Sequence, residues 1–209
     1  YGPEGLGEYV AFNLKFIRGD LLYPLHIHEF SGGETFDLGP QADVRIVPLK
    51  HSVPTFGFLY REKDKPGKFD VDAARRLNIP PGPLYGKLQK GESVEWEGRV
   101  IRPEEVLGPP RKGITVGYAL DTEPCKGTHL LAKNSQVLIH DATYKDEDRT
   151  HARRGKHSTH GEAVNLALKH GVRQLILTHF SQRYLEFFQN ESRDGLEIIY
   201  AYDGMRLVL

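Results

Sequence analysis

The sequence predicts an α/β fold, and three observations carry that prediction. Short apolar runs of strand length alternate with helical patterns through the second half of the chain. The first third is rich in strand-like segments, and a Pro-, Gly- and charge-rich stretch lies between the two. With 209 residues, 39 % hydrophobic and 27 % charged, the chain can bury one substantial core, so a single domain over 1–209 is the expectation.

In chain order, "YVAFNLKFI" (9–17), "LYPLHIHEF" (22–30), "VRIVPLKHS" (44–52) and "TFGFLYR" (55–61) partly alternate apolar and polar residues, as half-exposed strands do. Residues 62–113 hold two short helix candidates, 70–78 and 83–90, and otherwise little periodicity. A stretch of that length is expected to be either disordered or a functional protrusion. Then "GITVGYAL" (113–120), "SQVLIHD" (135–141) and "VRQLILTH" (172–179) read as buried strands, alternating with helices near 124–133, 160–170 and 181–190. Sheets of this kind gather functional groups where their strands end, and Asp121, Asp141 and His179 fall at such ends.

Composition narrows the function classes. Basic and acidic residues balance at 28 each, which excludes a wholly basic nucleic-acid coat and requires any RNA contact to be local. The one cysteine, Cys125, cannot form an internal disulfide. That fits a reducing compartment, with the cytoplasm expected, and leaves His and carboxylates to build any transition-metal site. No apolar run reaches the ~18 residues of a membrane span, so no membrane partner is expected. The chain opens at Tyr1, its only methionine is Met205, and "YGPEGL" reads like the middle of a domain; an N-terminal segment is expected to be missing.

His179 follows the apolar "LILT" and precedes "FSQRY", a strand-to-helix junction at which an imidazole can face a cleft. A core histidine bonded to a carbonyl is the competing reading. Asp121 in "ALDTEPC" has the same placement, although Asp-Thr before Glu-Pro also suits a helix N-cap, with Thr122 a second candidate. His51 ends a third strand, where Pro54 forces the chain to turn. Two imidazoles and a carboxylate at strand ends suit zinc, and a carboxylate can bridge two ions. His157 opens "HSTHGEAV", in which Ser158 or Thr159 can cap a helix that has Glu162 in its first turn. A histidine beside a carboxylate such as Asp141 also meets the proton demand of phosphodiester cleavage. The preceding "RTHARRGK" supplies Arg149, Arg153, Arg154 and Lys156 with no acidic residue among them. That run reads either as a solvated loop or as a cradle for a polyanion. His140, before Asp141, is expected to alternate to the opposite strand face, and His151, His160 and His170 read as peripheral, with His170-Gly171 ending a helix.

Read together, "YGPEGL", "HSVPTFGF", "NIPPGPLYGKLQKG", "LDTEPC", "HDATY", "HSTHGEA" and "LTHFSQRY" run in order over nearly the whole chain. In this the sequence resembles ribonuclease Z, the tRNA 3′-processing endonuclease of the metallo-β-lactamase superfamily. The resemblance implies an αββα sandwich with two zinc ions, His51 a ligand of one, His179 a ligand of the other, and Asp121 bridging both. It implies Asp141 and His157 as the acid-base pair. It also implies that 62–113 is a flexible arm gripping tRNA, with Lys87 and Lys90 at its tip; Arg153, Arg154 and Lys156 of the basic run are then expected as further tRNA contacts. The implied activity is zinc-dependent removal of 3′ trailers from tRNA precursors, by hydrolysis 3′ of the discriminator base, in a homodimer whose arm serves the partner's site.

The chain departs from the family pattern in three places. Asp141 stands where Glu is usual, Leu120 replaces the usual Gly before Asp121, and the first zinc motif, His-x-His-x-Asp-His, is absent. This 209-residue form is therefore expected to be inactive alone. Two rivals follow: a non-catalytic tRNA-binding or dimerising fragment, or a hydrolase of a small ester on the same fold.

Overall fold

The computed structural model describes residues 1–17, 21–184 and 188–208, which divide into two compact units, Tyr1–Arg61 with Thr115–Leu209, and Glu62–Ile114. The larger unit is built on an eight-stranded sheet. Its strands are β3 (Thr35–Asp37), β4 (Ala42–Pro48), β5 (Phe56–Glu62), β8 (Thr115–Ala119), β9 (Val137–Asp141), β10 (Gln174–Thr178), β11 (Glu191–Arg193) and β12 (Leu196–Tyr200), in the spatial order β11-β12-β10-β9-β8-β5-β4-β3. β8, β9, β10 and β12 are parallel, whereas β5 joins β8 antiparallel.

Parallel neighbours need crossovers, and the helices α4 (Lys126–Lys133) and α6 (His160–His170) provide two of them. They pack on one sheet face in a core that includes Leu131, Leu138, Leu175, Leu177 and Leu196, with Ala163 and Ala167 allowing close helix approach. Thr159 caps α6 in a capping box with Glu162, and Gly171 ends it at φ +67°, as the sequence indicates. The register Thr178↔Asp141 and His140↔Ala119 brings the C-terminal ends of β8, β9 and β10 level, so whatever follows each strand meets at one edge.

Gly127 fixes how α4 meets the end of β4. A Cβ there would lie 2.1 Å from the Pro48 carbonyl oxygen. A helical Gly→Ala change ordinarily gains up to about 1 kcal/mol. Gly127→Ala is expected to reverse that sign and lower stability by about 1–3 kcal/mol through overpacking, as read from denaturant unfolding.

Several elements differ from expectation. Residues 9–17 lie in a helix, α1 (Leu6–Ile17), not a strand: half-buried Leu6, Val10 and Leu14 recur at i, i+4, i+8, and Glu8 and Lys15 complement the helix dipole. Of 22–30 only β2 (Glu29–Phe30) pairs, with β1 (Gly2–Pro3). Neither Asp121 nor Thr122 caps α4, whose N-cap is Cys125. Ser181–Tyr184 do not form the first turn of a helix, and 185–187 of the expected 181–190 helix lie outside the described residues. The β11–β12 hairpin was not expected, although Asp194-Gly195, both at positive φ, is the two-residue turn that such a hairpin favours.

Residues 62–114 are not structureless. Helices α2 (Val71–Arg76) and α3 (Pro83–Gln89) and the hairpin β6 (Val94–Trp96)/β7 (Arg99–Ile101) surround a small core of Ala74, Ile79, Leu88, Val94, Ile101 and Val106. Lys87 and Lys90, three apart at the end of α3, are both exposed. Among the described residues no helix is long and apolar enough to cross a membrane.

Candidate metal and acid-base site

At the common edge, one ligating atom from each of Asp121, Asp141, His157 and His179 lies within 4.8 Å of the others. Asp121 follows β8, Asp141 ends β9 and His179 follows β10; His157 comes from the turn before α6. Asp121 and His179 hold φ of 52° and 65°, conformations that cost a non-Gly residue of order 1–3 kcal/mol and persist where the surroundings impose them. The strained residue is Asp121 itself rather than Leu120.

Asp141 is fully buried and completely bonded. Its Oδ1 accepts from the Thr143 amide (2.9 Å) and hydroxyl (2.7 Å), and its Oδ2 from the Thr122 amide (3.0 Å) and His157 Nδ1 (2.7 Å). The shorter side chain therefore reaches His157. Burial pushes the carboxyl pKa up, but the bonds from His157, Thr143 and Thr122 outweigh it and hold Asp141 below the usual carboxylate range. The Asp141 hydrogen bond raises the His157 pKa against partial burial. With Nδ1 donating to Asp141, the opposite ring nitrogen is the one that can deliver a proton.

The three imidazoles at this edge share one arrangement. His51 Nδ1 donates to the Lys156 carbonyl (3.0 Å), His157 Nδ1 binds Asp141, and His179 Nδ1 lies 2.8 Å from the Thr143 hydroxyl. Bonds of this kind on Nδ1 leave Nε2 for a metal or a substrate. The His51 and His157 rings lie 4.8 Å apart, and those of His157 and His179 5.2 Å, so His51 joins the group through His157.

The donor set fits a borderline cation, offering imidazole nitrogens and carboxylate oxygens. Asp121 Oδ1 supports the fit: although its side chain is 48 % exposed, this oxygen is sealed from solvent and has no hydrogen-bond partner, and it lies 2.9 Å from His179 Nε2. Of the expected ligands, Asp121 and His179 belong to the four-residue cluster, whereas His51 lies outside it, beside His157.

The basic run differs from expectation. Residues 149–155 are a helix, α5 (Arg149–Gly155), not a loop, and the fold supplies the acids that the local sequence lacks. Arg153 ion-pairs with Glu162, and Arg149 lies near Glu162 (3.8 Å) and Asp146 (3.7 Å). Arg154 is exposed with no ion pair among the described residues. Lys156, at φ 56°, reaches back to the His51 carbonyl (3.4 Å), so it clasps the bend after β4 that carries His51, which lies three residues beyond the strand rather than at its end.

Sequence reasoning missed the supporting hydroxyls. Thr122, Thr143 and Ser158 are buried, and Ser158 Oγ donates to the Thr122 carbonyl (2.7 Å), tying the His157 turn to the Asp121 turn. Their one sequence signal is adjacency to the acidic and imidazole residues. His140 is a buried core histidine bonded to the Asp141 carbonyl, and burial lowers its pKa.

No protein-family profile matches the chain. Relatives described as ribonuclease Z do. That of Methanosarcina acetivorans is 39 % identical over 211 aligned residues, and that of Methanosarcina mazei 41 % over 211; each alignment covers 99 % of this chain and 69 % of the relative. That of Bacillus subtilis is 40 % identical over 185 residues, covering 88 % of this chain and 60 % of the relative. Among solved structures, human tRNase Z, short form, superposes with a TM-score of 0.59 at 22 % identity, covering 98 % of this chain and 65 % of that one. A diphosphatase of the PhnP family gives 0.51 at 17 % identity, over 99 % of this chain and 56 % of its own. These two likenesses speak for the fold, which is that of the metallo-β-lactamases. Relatives at about 40 % identity, two of them matched over 69 % of their length, go further than fold: the chain belongs to the ribonuclease Z family.

Proposed function

We propose that the protein of which this chain is part is a zinc-dependent endoribonuclease that removes 3′ trailers from tRNA precursors. The carrying observation is the contact of a sealed, unbonded Asp121 oxygen with His179, 2.9 Å away, beside the Asp141–His157 pair. Zinc ions held by His51, Asp121 and His179 would supply Lewis acidity at the phosphodiester. Asp121 would supply the carboxylate of that set. Asp141 fixes the His157 ring and keeps its proton available. His157 gives that proton to the 3′ oxygen as water adds to phosphorus and the P–O3′ bond breaks.

Residues 62–114 serve as the tRNA-gripping arm in this reading. Their own small core gives Lys87 and Lys90 a folded support, and both exposed ammonium groups suit phosphates. Arg154, exposed and without an ion pair among the described residues, is the most available cation of the basic run, with Arg153 and Lys156 as further contacts once their present partners yield. The arm of one subunit serves the site of the other in a homodimer, which sedimentation of the whole protein would reveal. RNA as substrate and a single cysteine both fit the cytoplasm.

Cleavage of precursor tRNA by the whole protein, with and without chelator, tests the reading; cutting that persists after metal removal overturns it. Lys87→Ala/Lys90→Ala is expected to weaken tRNA binding across all sequences and to lower the log-log salt slope by about 1 per lysine. An unchanged slope would remove the arm from the tRNA interface and favour a small-ester substrate instead.

A further inference from the structure

We propose that Thr143 is a positioning residue for this reaction: its hydroxyl holds His179 with the ring proton on Nδ1 and the Nε2 lone pair open toward the metal position. The inference rests on the metal reading above for its consequence, but not for its geometry.

A threonine hydroxyl carries one proton and can also accept. Thr143 Oγ1 lies 2.7 Å from Asp141 Oδ1 and 2.8 Å from His179 Nδ1. The ionised Asp141 can only accept, so the single hydroxyl proton goes to it. At His179 the same oxygen must then accept, which requires a proton on Nδ1. The backbone leaves little freedom for another solution. The Thr143 amide also donates to Asp141 Oδ1 (2.9 Å), and its carbonyl accepts from the Ser181 amide (3.0 Å), two residues beyond His179. Thr143 is only 6 % exposed, so water does not compete readily for the hydroxyl.

Asp121 Oδ1 lies 2.9 Å from His179 Nε2, yet no hydrogen bond joins the two, so the oxygen sits off the axis of that nitrogen. With the proton on Nδ1, two electron-rich atoms this close repel each other, and a bound cation would offset that repulsion. Thr143 thus makes one hydroxyl serve the proton-donating pair and the metal ligand together.

The test compares wild type, Thr143→Val, which keeps the shape and loses the hydroxyl, and Thr143→Ser, which restores it. Ring 15N shifts of His179 are recorded in cation-free protein at about pH 8, above the ordinary imidazole pKa of ~6.5. Zn2+ affinity is measured by competition with a chromophoric chelator. Wild type and Thr143→Ser are expected to show the Nδ1–H tautomer. Thr143→Val should lose that preference and bind Zn2+ about 10–100-fold more weakly, with Thr143→Ser restoring affinity. A Val variant that matches wild type in both readouts overturns the proposal and leaves the metal reading standing. Should the Val variant not fold, the wild-type tautomer decides: Nε2–H in cation-free protein overturns the proposal, and Nδ1–H supports it. Failure of wild type to bind Zn2+ while showing Nδ1–H would instead sink the metal reading alone.

Discussion

Asp141→Ala is expected to cost the fold about 3–5 kcal/mol, the range for breaking a buried charge pair by removing one partner. The carboxylate is fully buried and accepts four hydrogen bonds, so its loss strands the Thr122 and Thr143 amides, the Thr143 hydroxyl and His157 Nδ1 together. Urea unfolding of both proteins over a range of pH gives the check, because the effect has a signed pH dependence. The folded pKa of Asp141 lies below its unfolded value. Its contribution is therefore complete above the ordinary carboxylate pKa, ~3.9, and is lost as pH falls through the lower folded value. The gap between wild type and variant should narrow in acid. A gap under 1 kcal/mol at neutral pH would mean that Asp141 does not anchor this edge of the sheet.

His157→Ala should lower precursor tRNA cleavage by the whole protein roughly 10²–10⁴-fold, the usual worth of a positioned acid-base group, while leaving the protein folded. His157 is part-buried and its side chain makes one hydrogen bond, to Asp141, so its removal leaves less unsatisfied than removal of Asp141 does. Single-turnover rates separate the proton-donor role from tRNA binding. Zn2+ affinity should hold in this variant, since Asp121 and His179 are untouched. Loss of metal with the rate would instead make His157 a ligand, which its place in the four-residue cluster makes a concrete alternative.

Local chemistry fixes some of this protein outright. Thr159 and Glu162 specify the start of α6 and Gly171 its end, because a capping box and a left-handed glycine act within one turn of chain. The runs ending in Asp121, Asp141 and His179 are apolar enough to be buried strands, so their polar ends had to emerge at the sheet's edge. Local signals misled where two periods fit: residues 9–17 alternate loosely yet form α1, in which Leu6, Val10 and Leu14 are half-buried along one stripe.

What tertiary structure alone decided is which side chains meet. Arg153 faces Glu162 because the end of α5 and the first turn of α6 come together, turning an apparently unpaired cation into a bonded one. Thr143 touches both Asp141, two residues away, and His179, 36 residues away, because β9 and β10 are adjacent and in register. The sequence by itself determines the chemical types available at each strand end. The strand order and register determine their distances, and because hydrogen bonding and metal ligation act over only a few ångströms, those distances turn scattered residues into a site.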